Sequence, residues 1–202
     1  ADTVRMYLAF IGPYNEVSSY PWNPDGVVGV RRFLERVWRV TRLVQKNNVE
    51  TLENPLHKAI KKVGEDIAAL KFNTAISALM IFLNAVEKEQ KIGKAQWETV
   101  LELLAPFAPH VAEELWHGLG HKTSIHKEKW PTYDPAKLRE ETVNIAVQIN
   151  GKVRAQVSVP TDASKESIEK SAHEAVGPRL EGKSVVRTIV VPGRLVNFVV
   201  EE

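Results

Sequence analysis

Residues Leu103–Trp116 read LLAPFAPHVAEELW, and the organisation of the chain follows from how its two prolines divide it. Upstream, Trp97, Val100, Leu101 and Leu104 recur at i, i+3, i+4 and i+7, which is one apolar stripe of a helix. Proline donates no hydrogen bond to a helix interior, so that helix is expected to end near Ala105. Pro106 and Pro109 each have the φ of a first helical turn, so a second helix is expected to start at one of them. Glu113 and Glu114 then fall near its positive end. Val111, Leu115, Trp116 and Leu119 give it an apolar face, and Gly118 and Gly120 end it. Such a bent helix pair belongs in a helical bundle, and core packing alone accounts for its apolar residues.

His110, His117 and His121 gather in the same region. Helix-breaking glycines separate the last two, the chain has no cysteine, and no zinc-ligand spacing appears, so no metal site is expected. The 202 residues are enough for one or two domains with a substantial core. A net charge of only +2 leaves any nucleic-acid surface to the distribution of charge, not its total. Absence of cysteine excludes disulfide and thiol chemistry and is compatible with a cytoplasmic location. No apolar run is long enough to span a membrane and no signal peptide is recognisable, so no membrane partner is expected. The chain opens in what reads as the middle of a helix, and a piece of a longer polypeptide is expected.

Asp2 is placed to cap a short helix lined by Val4, Leu8 and Ile11 and ended by Gly12-Pro13. The spacing next predicts a helix from Gly26 to Asn47. On it Arg31, Arg32, Arg36, Arg39, Arg42 and Lys46 fall within a sector of about 140°, with Glu35 the only acid among them. Phe33, Leu34, Val37, Trp38, Val40 and Val44 occupy the opposite sector. Cations so arranged repel one another, which suits a polyanion bound along the face; acidic neighbours within the bundle are the alternative. Asn54-Pro55 starts a third helix with Ile60, Val63, Ile67 and Leu70 inward. Asn73 caps a fourth with Ile76, Leu79, Met80, Leu83 and Val86 inward, and Gly93 closes it. Residues 121–141 lack periodicity and read as a linker that packs on the bundle through Trp130.

From Val143 the apolar period becomes two: Val143, Ile145, Val147 and Ile149, then Val153, Ala155, Val157 and Val159. Asn150-Gly151 marks a hairpin turn. Directly opposed residues share a face, so odd must pair with odd, and a three-residue loop from Ile149 to Gly151 with a left-handed Gly151 is expected. Ser164 caps a helix carrying Ile168, Ala172, Ala175 and Val176, stopped by Gly177-Pro178. Strands Val185–Val191 and Leu195–Val200 then meet at Pro192-Gly193. One helix covers one face of such a sheet. The other is expected to be open and to carry Lys152, Arg154 and Gln156. The fold class is thus multi-domain, α followed by α+β: a bundle of about five helices, then a small ββαββ domain.

Leu103–Trp116 resembles the signature of the helical anticodon-binding domain in class I aminoacyl-tRNA synthetases for branched aliphatic amino acids. ADTVRMYLAFIGP at the start resembles the segment after the Lys-Met-Ser-Lys-Ser loop of leucyl-tRNA synthetases, and Phe72-Asn73-Thr74-Ala75 resembles a run of the same family. VQINGKVRAQVSVP (147–160) and EGKSVVRTIVVPGRLVN (181–197) resemble the C-terminal domain of the bacterial type. With FLERVWRV (33–40), the likeness covers nearly the whole chain in order; isoleucyl and valyl enzymes share the bundle signature but are not expected to end in this small domain.

The resemblance implies that residues 1–23 are the tail of a catalytic or stem-contact region and 24–120 an anticodon-binding-type bundle. It implies further that 121–141 are a linker and 142–202 an α+β domain that binds tRNA, in this family at the outer corner where the D- and T-loops meet. The family ligates leucine to tRNA with ATP and magnesium. This chain has no His-Ile-Gly-His-like or Lys-Met-Ser-Lys-Ser-like motif, so no catalytic residue, no cofactor and no activity of its own are expected, the aminoacylation and editing domains of the same polypeptide being missing partners. What remains is docking of leucine-accepting tRNA by Arg31, Arg32, Arg36, Arg39, Arg42 and Lys46 in the bundle and Lys152, Arg154 and Arg194 beyond it. The competing reading is a protein-interaction module that uses the basic helix face.

Overall fold

The structure, a computed structural model, describes residues 1–13, 19–138, 142–161, 163–180 and 184–201. It forms two compact units, Ala1–Leu138 and Arg139–Glu202. No helix among the described residues is long and apolar enough to cross a membrane.

The first unit contains α1 (Asp2–Phe10), α2 (Pro24–Val40), β1 (Val44–Gln45), α3 (Glu53–Ala68), α4 (Phe72–Glu89), β2 (Ile92–Gly93), α5 (Lys94–Leu104) and α6 (Pro109–Gly118). The proline-divided stretch folds as its residues predict. α5 ends at Leu104, Pro109 sits in the first turn of α6, and Leu103, Leu104, Phe107, Ala108, Ala112, Leu115 and Trp116 are all buried. They join one core with Phe33 and Val37 of α2, Ile60 and Val63 of α3, Ile76, Leu79, Leu83 and Val86 of α4, and the fully buried Trp97. Each large apolar side chain enclosed in this way contributes roughly 1.5–3 kcal/mol.

Several expectations change on folding; α4, for one, ends at Glu89 with a left-handed Gln90, and Gly93 lies in β2 instead of closing it. α1 buries Asp2, Met6 and Tyr7, leaving Val4 and Leu8 about half exposed. The reason is polar: the Asp2 carboxylate accepts from the Val111 N–H at 2.8 Å and meets His110 Nδ1 at 2.7 Å, so it caps α6 and turns α1 by that contact. Burial raises the Asp2 pKa, but these hydrogen bonds and the charges of His110 and Arg5 outweigh it and hold the carboxyl below its ordinary range. α2 ends at Val40, not Asn47; a 3₁₀ turn at Thr41–Leu43 follows, and β1 then pairs in parallel with β2, Val44 opposite Ile92 and Gln45 opposite Gly93. Leu70 lies past the end of α3, with φ 57° and half exposed. Residues 121–138 pack on the bundle as expected, as a strap held by more than Trp130, which is itself 43% exposed. Ile125 is buried, the Glu113 carboxylate accepts from the Ser124 hydroxyl and the Ile125 N–H, the Asp134 N–H donates to His57, and Asn54 donates to the Lys137 carbonyl.

The second unit contains β3 (Thr142–Ile149), β4 (Lys152–Pro160), α7 (Lys165–Leu180), β5 (Ser184–Val191) and β6 (Leu195–Glu201). This is the expected ββαββ order, with the strands arranged β4-β3-β6-β5 and the β3–β6 pair parallel. Ile168, Ala172, Val176 and Leu180 of α7 cover Ile145, Val147, Val196 and Phe198. α7 runs through Gly177-Pro178 instead of stopping there, because Leu180 continues the same buried i+4 stripe and offsets the hydrogen bond that Pro178 cannot donate.

The hairpin turn differs from expectation in an informative way. Ile149 pairs directly with Lys152, so the loop has two residues, and Asn150 (φ 47°) and Gly151 (φ 78°) both take the left-handed region of a type I′ turn. The parity requirement is met inside β4: Val147 opposes Ala155 and Gln148 opposes Val153, so Arg154 is the extra residue of a bulge. Val143, Ile145 and Val147 therefore still face Val159, Val157 and Ala155. Asn150 favours the short loop because its side chain both donates to the Val200 carbonyl and accepts from the Val200 N–H.

Glu102 of α5 lines a cleft of about 160 Å³ beneath the strap, with His126, Glu128 and Trp130 on the other side. Burial, then the charges of Glu128 and Glu98, push its carboxyl up to about 7, with His121 opposing. A carboxyl raised from 4.5 to about 7 on folding gives its full contribution to stability below the lower value and loses it as the pH rises through the upper one. Glu102→Gln is expected to raise the melting temperature above that of the parent at pH 8 and to give no such gain at pH 4.5; an equal shift at both values, read by circular dichroism, would rule this out.

Candidate nucleic-acid interface

The first surface is the exposed side of α2. Asn23 caps the helix, its side chain accepting from the Asp25 N–H at 3.0 Å, and Pro24 occupies the first turn. The Asn23 N–H in turn donates to the Tyr7 hydroxyl at 2.8 Å, which ties the start of α2 to α1. Val30, Phe33, Leu34, Val37 and Val40 are buried, so Arg31, Arg32, Glu35, Trp38 and Arg39 project into solvent, and Arg42 follows on the 3₁₀ turn.

The six cations expected along this face do not behave alike. The Arg36 guanidinium donates to both carboxylate oxygens of Glu87 at 3.0 and 2.6 Å and to Asn84 at 2.5 Å. It is a clamp between α2 and α4, and through that hydrogen bond it holds the Glu87 carboxyl below its ordinary range. Arg31 pairs with Glu35 at 2.9 Å within the helix. Lys46 lies beyond β1, off the helix altogether, because the chain leaves helical geometry to pair with β2. Among the described residues, Arg32, Arg39, Arg42 and Lys46 have no carboxylate within 4.0 Å. Acidic neighbours thus explain part of the stripe: Arg32, Arg39 and Arg42 form no ion pair among the described residues, although the charge of Arg39 still acts on the Glu87 carboxyl.

What fastens the segment after this row was not apparent from the sequence. Gln96 is buried; its Oε1 accepts from the Val49 N–H at 2.9 Å and the Gly93 N–H at 3.1 Å. Its Nε2 donates to the Val49 carbonyl at 2.9 Å and to Glu53 at 2.7 Å, so every hydrogen-bonding site of the amide is used. Gly93 permits the close approach, since a Cβ there would lie 2.5 Å from Asn48 Cα. The segment leaving α2 is therefore fastened to α3 and α5. The only signal was a polar residue at a helical core position.

The second surface belongs to the second unit. The sheet face away from α7 was expected to carry Lys152, Arg154 and Gln156, but the bulge changes this. Lys152 opposes Ile149, whose side chain packs on the α7 side, Arg154 is the unpaired residue, and only Gln156 is placed on the open face. There it is joined by Gln148, Val153, Asn197, Ile189 and Arg187. The Arg154 carbonyl accepts from Arg179 of α7. Arg194 lies in the β5–β6 turn, its N–H donating to the Val191 carbonyl at 3.0 Å and its carbonyl accepting from Ala146 at 3.1 Å. The register sets Arg194 level with Ile145 and Lys152 level with Ile149, about 13 Å apart along the strands. The three cations are thus spread around the sheet. The histidines of the proline-divided region have separate partners: His110 with Asp2, His117 with Glu113 and the His121 carbonyl, and His121 with Glu98.

The helical unit with its α5–α6 bend and the small mixed sheet can be compared with known proteins. Residues 50–169 match the family described as the anticodon-binding domain of tRNA ligase, and the chain belongs to that family. Within it the chain is 45% identical over 211 aligned residues to a leucine–tRNA ligase of Chlorobium phaeobacteroides (strain BS1), covering all of this chain and 26% of that protein. Among solved structures it is similar to LeuRS of Agrobacterium radiobacter K84 (agnB2) in a ternary complex with tRNA and LeuAMS, with a TM-score of 0.73 and 29% identity over the whole of this chain and 29% of the other. The chain therefore spans between a quarter and a third of these relatives.

The two kinds of arginine on α2 are expected to separate by stability. Arg36→Gln removes a partly exposed, multiply bonded pair and should cost about 1 kcal/mol after solvent screening, a few degrees in melting temperature. Arg39→Gln and Arg42→Gln should stay within about 0.5 kcal/mol of the parent. Equal melting of all three variants would show that Arg36 holds nothing in place.

Proposed function

We propose that this chain is the tRNA-docking part of a leucine–tRNA ligase, an enzyme that joins leucine to its tRNA with ATP. The observation that carries the reading is the row of Arg32 and Arg39 on α2 and Arg42 on the turn after it, which form no ion pair among the described residues, in a chain of the anticodon-binding family. Phosphates are its natural counterpart: guanidinium groups bind them with two parallel hydrogen bonds and fix register without reading sequence. The similarity to a LeuRS solved with tRNA supports the same partner.

In the second unit, Lys152, Arg154 and Arg194 offer charge around a sheet whose open face mixes amides and aliphatic side chains with Arg187. That combination suits folded RNA, where 2′-hydroxyls and unstacked loop bases are recognised beside phosphates. Two modest contacts on one chain raise each other's effective concentration. The chain has no sequence pattern that cradles a nucleotide phosphate or holds magnesium, so binding of ATP, magnesium and leucine, the ligation step and editing are assigned to the remainder of the longer polypeptide, and this part is inactive alone. The proposed location is cytoplasmic.

The test is an anisotropy titration of the chain with leucine tRNA and with a tRNA lacking the long variable arm, at several salt concentrations. Binding should weaken with salt, and Arg39→Gln with Arg42→Gln should flatten the log–log slope by roughly 0.7–0.9 for each phosphate left without its guanidinium. An unchanged slope would remove α2 from the interface; a parent chain that binds no tRNA at low salt would turn the reading toward a protein partner.

A further inference from the structure

One side chain on the basic face is not explained by phosphate docking. Trp38 falls in the apolar sector of the helical wheel, yet it is 49% exposed, while Leu34 and Val37 beside it are buried. It stands between Arg31 and Glu35, one to two turns before it, and Arg42, one turn after it. The indole lines two clefts, one of about 500 Å³ bounded by Arg31, Glu35, His110 and Val111, the other of about 280 Å³ bounded by Arg42, Glu114 and Leu115.

We infer that Trp38 is a stacking platform for an unpaired nucleobase of the docked tRNA, with Arg39 and Arg42 holding the adjoining phosphates. This rests on the tRNA-docking reading and adds a subsite to it. A half-exposed indole with cations beside it is the combination by which single-stranded nucleic acid is held, because every base presents a π-face whatever its sequence. The acids are arranged consistently. Glu35 is occupied by Arg31 at 2.9 Å, and Glu114 across the second cleft would repel a phosphate but accept from a base's exocyclic amino group. The charge pattern thus puts the base beside Trp38 and the phosphates toward Arg39 and Arg42.

The test compares the full chain with Trp38→Phe and Trp38→Leu, titrated with leucine tRNA over the same salt series. Trp38→Leu should weaken binding on the order of five- to hundredfold while leaving the salt slope and the melting temperature unchanged, and Trp38→Phe should retain most of the affinity. Tryptophan emission provides a second readout: the parent should show a component quenched by tRNA that Trp38→Phe lacks. If the parent binds tRNA and Trp38→Leu binds equally well, or parent and Trp38→Phe are quenched alike, the stacking site is overturned while docking stands. If Trp38→Phe loses as much as Trp38→Leu and melts lower, the indole serves packing, which also overturns it. A parent that binds no tRNA fails at the earlier step and takes both readings with it.

Discussion

The buried carboxamide of Gln96 holds together the part of the bundle that carries function. It closes hydrogen bonds to both sides of the Val49 peptide, to the Gly93 N–H and to Glu53, and Glu53 also accepts from Lys137 of the strap at 2.5 Å. The charge of Lys137 and the Gln96 hydrogen bond offset burial at Glu53 and hold its carboxyl below the ordinary range. One side chain thus connects the segment leaving α2, the start of α3, the start of α5 and, through Glu53, the strap. A buried amide with all its bonds made is rigid, and any partial rearrangement would leave polar groups unsatisfied in a dry interior. It fastens the segment that follows Arg42 and β1.

A docking surface for a polyanion needs charge that internal partners do not neutralise, on a scaffold that does not move when the charges repel. α2 divides these tasks among similar residues. Arg36 turns inward to Glu87 and Asn84 and holds the helix against α4, while Arg32, Arg39 and Arg42 form no ion pair among the described residues and lie exposed. The phosphate-facing row is therefore supported by a member of the same stripe. The second unit solves the problem differently, with cations at a hairpin tip, a bulge and a turn around a sheet whose open face carries amides and aliphatic side chains with Arg187.

Where sequence reasoning erred, it erred through a local rule overridden by a contact from elsewhere. Side-chain parity in the β3–β4 hairpin was correctly read as requiring one extra residue, but that residue was placed in the loop. Asn150, anchored on Val200 of a strand some fifty positions later, holds the short left-handed turn and moves the irregularity to Arg154. Similarly, Val4 and Leu8 have the spacing of a buried stripe, but Asp2 bonds to the first turn of α6 and rotates α1 toward Met6 and Tyr7. Polar groups with distant partners are invisible to periodicity, which counts only apolar spacing.

The sequence by itself determined the elements and their order. The stripes of α3 to α6, the prolines that divide α5 from α6, and the change of period at Val143 are local properties that the backbone must obey, and they specified a helical bundle followed by a ββαββ unit. The cationic character of α2 was equally legible, because charge spacing on a helix depends only on its pitch. Only the tertiary structure decided which arginines form ion pairs, that Trp38 is exposed, which contacts fasten 121–138 to the bundle, and which face Lys152 takes. These depend on Glu87, Asn84, Gln96, Val200 and Asp2, each brought from a distant part of the chain to a place that no local pattern encodes.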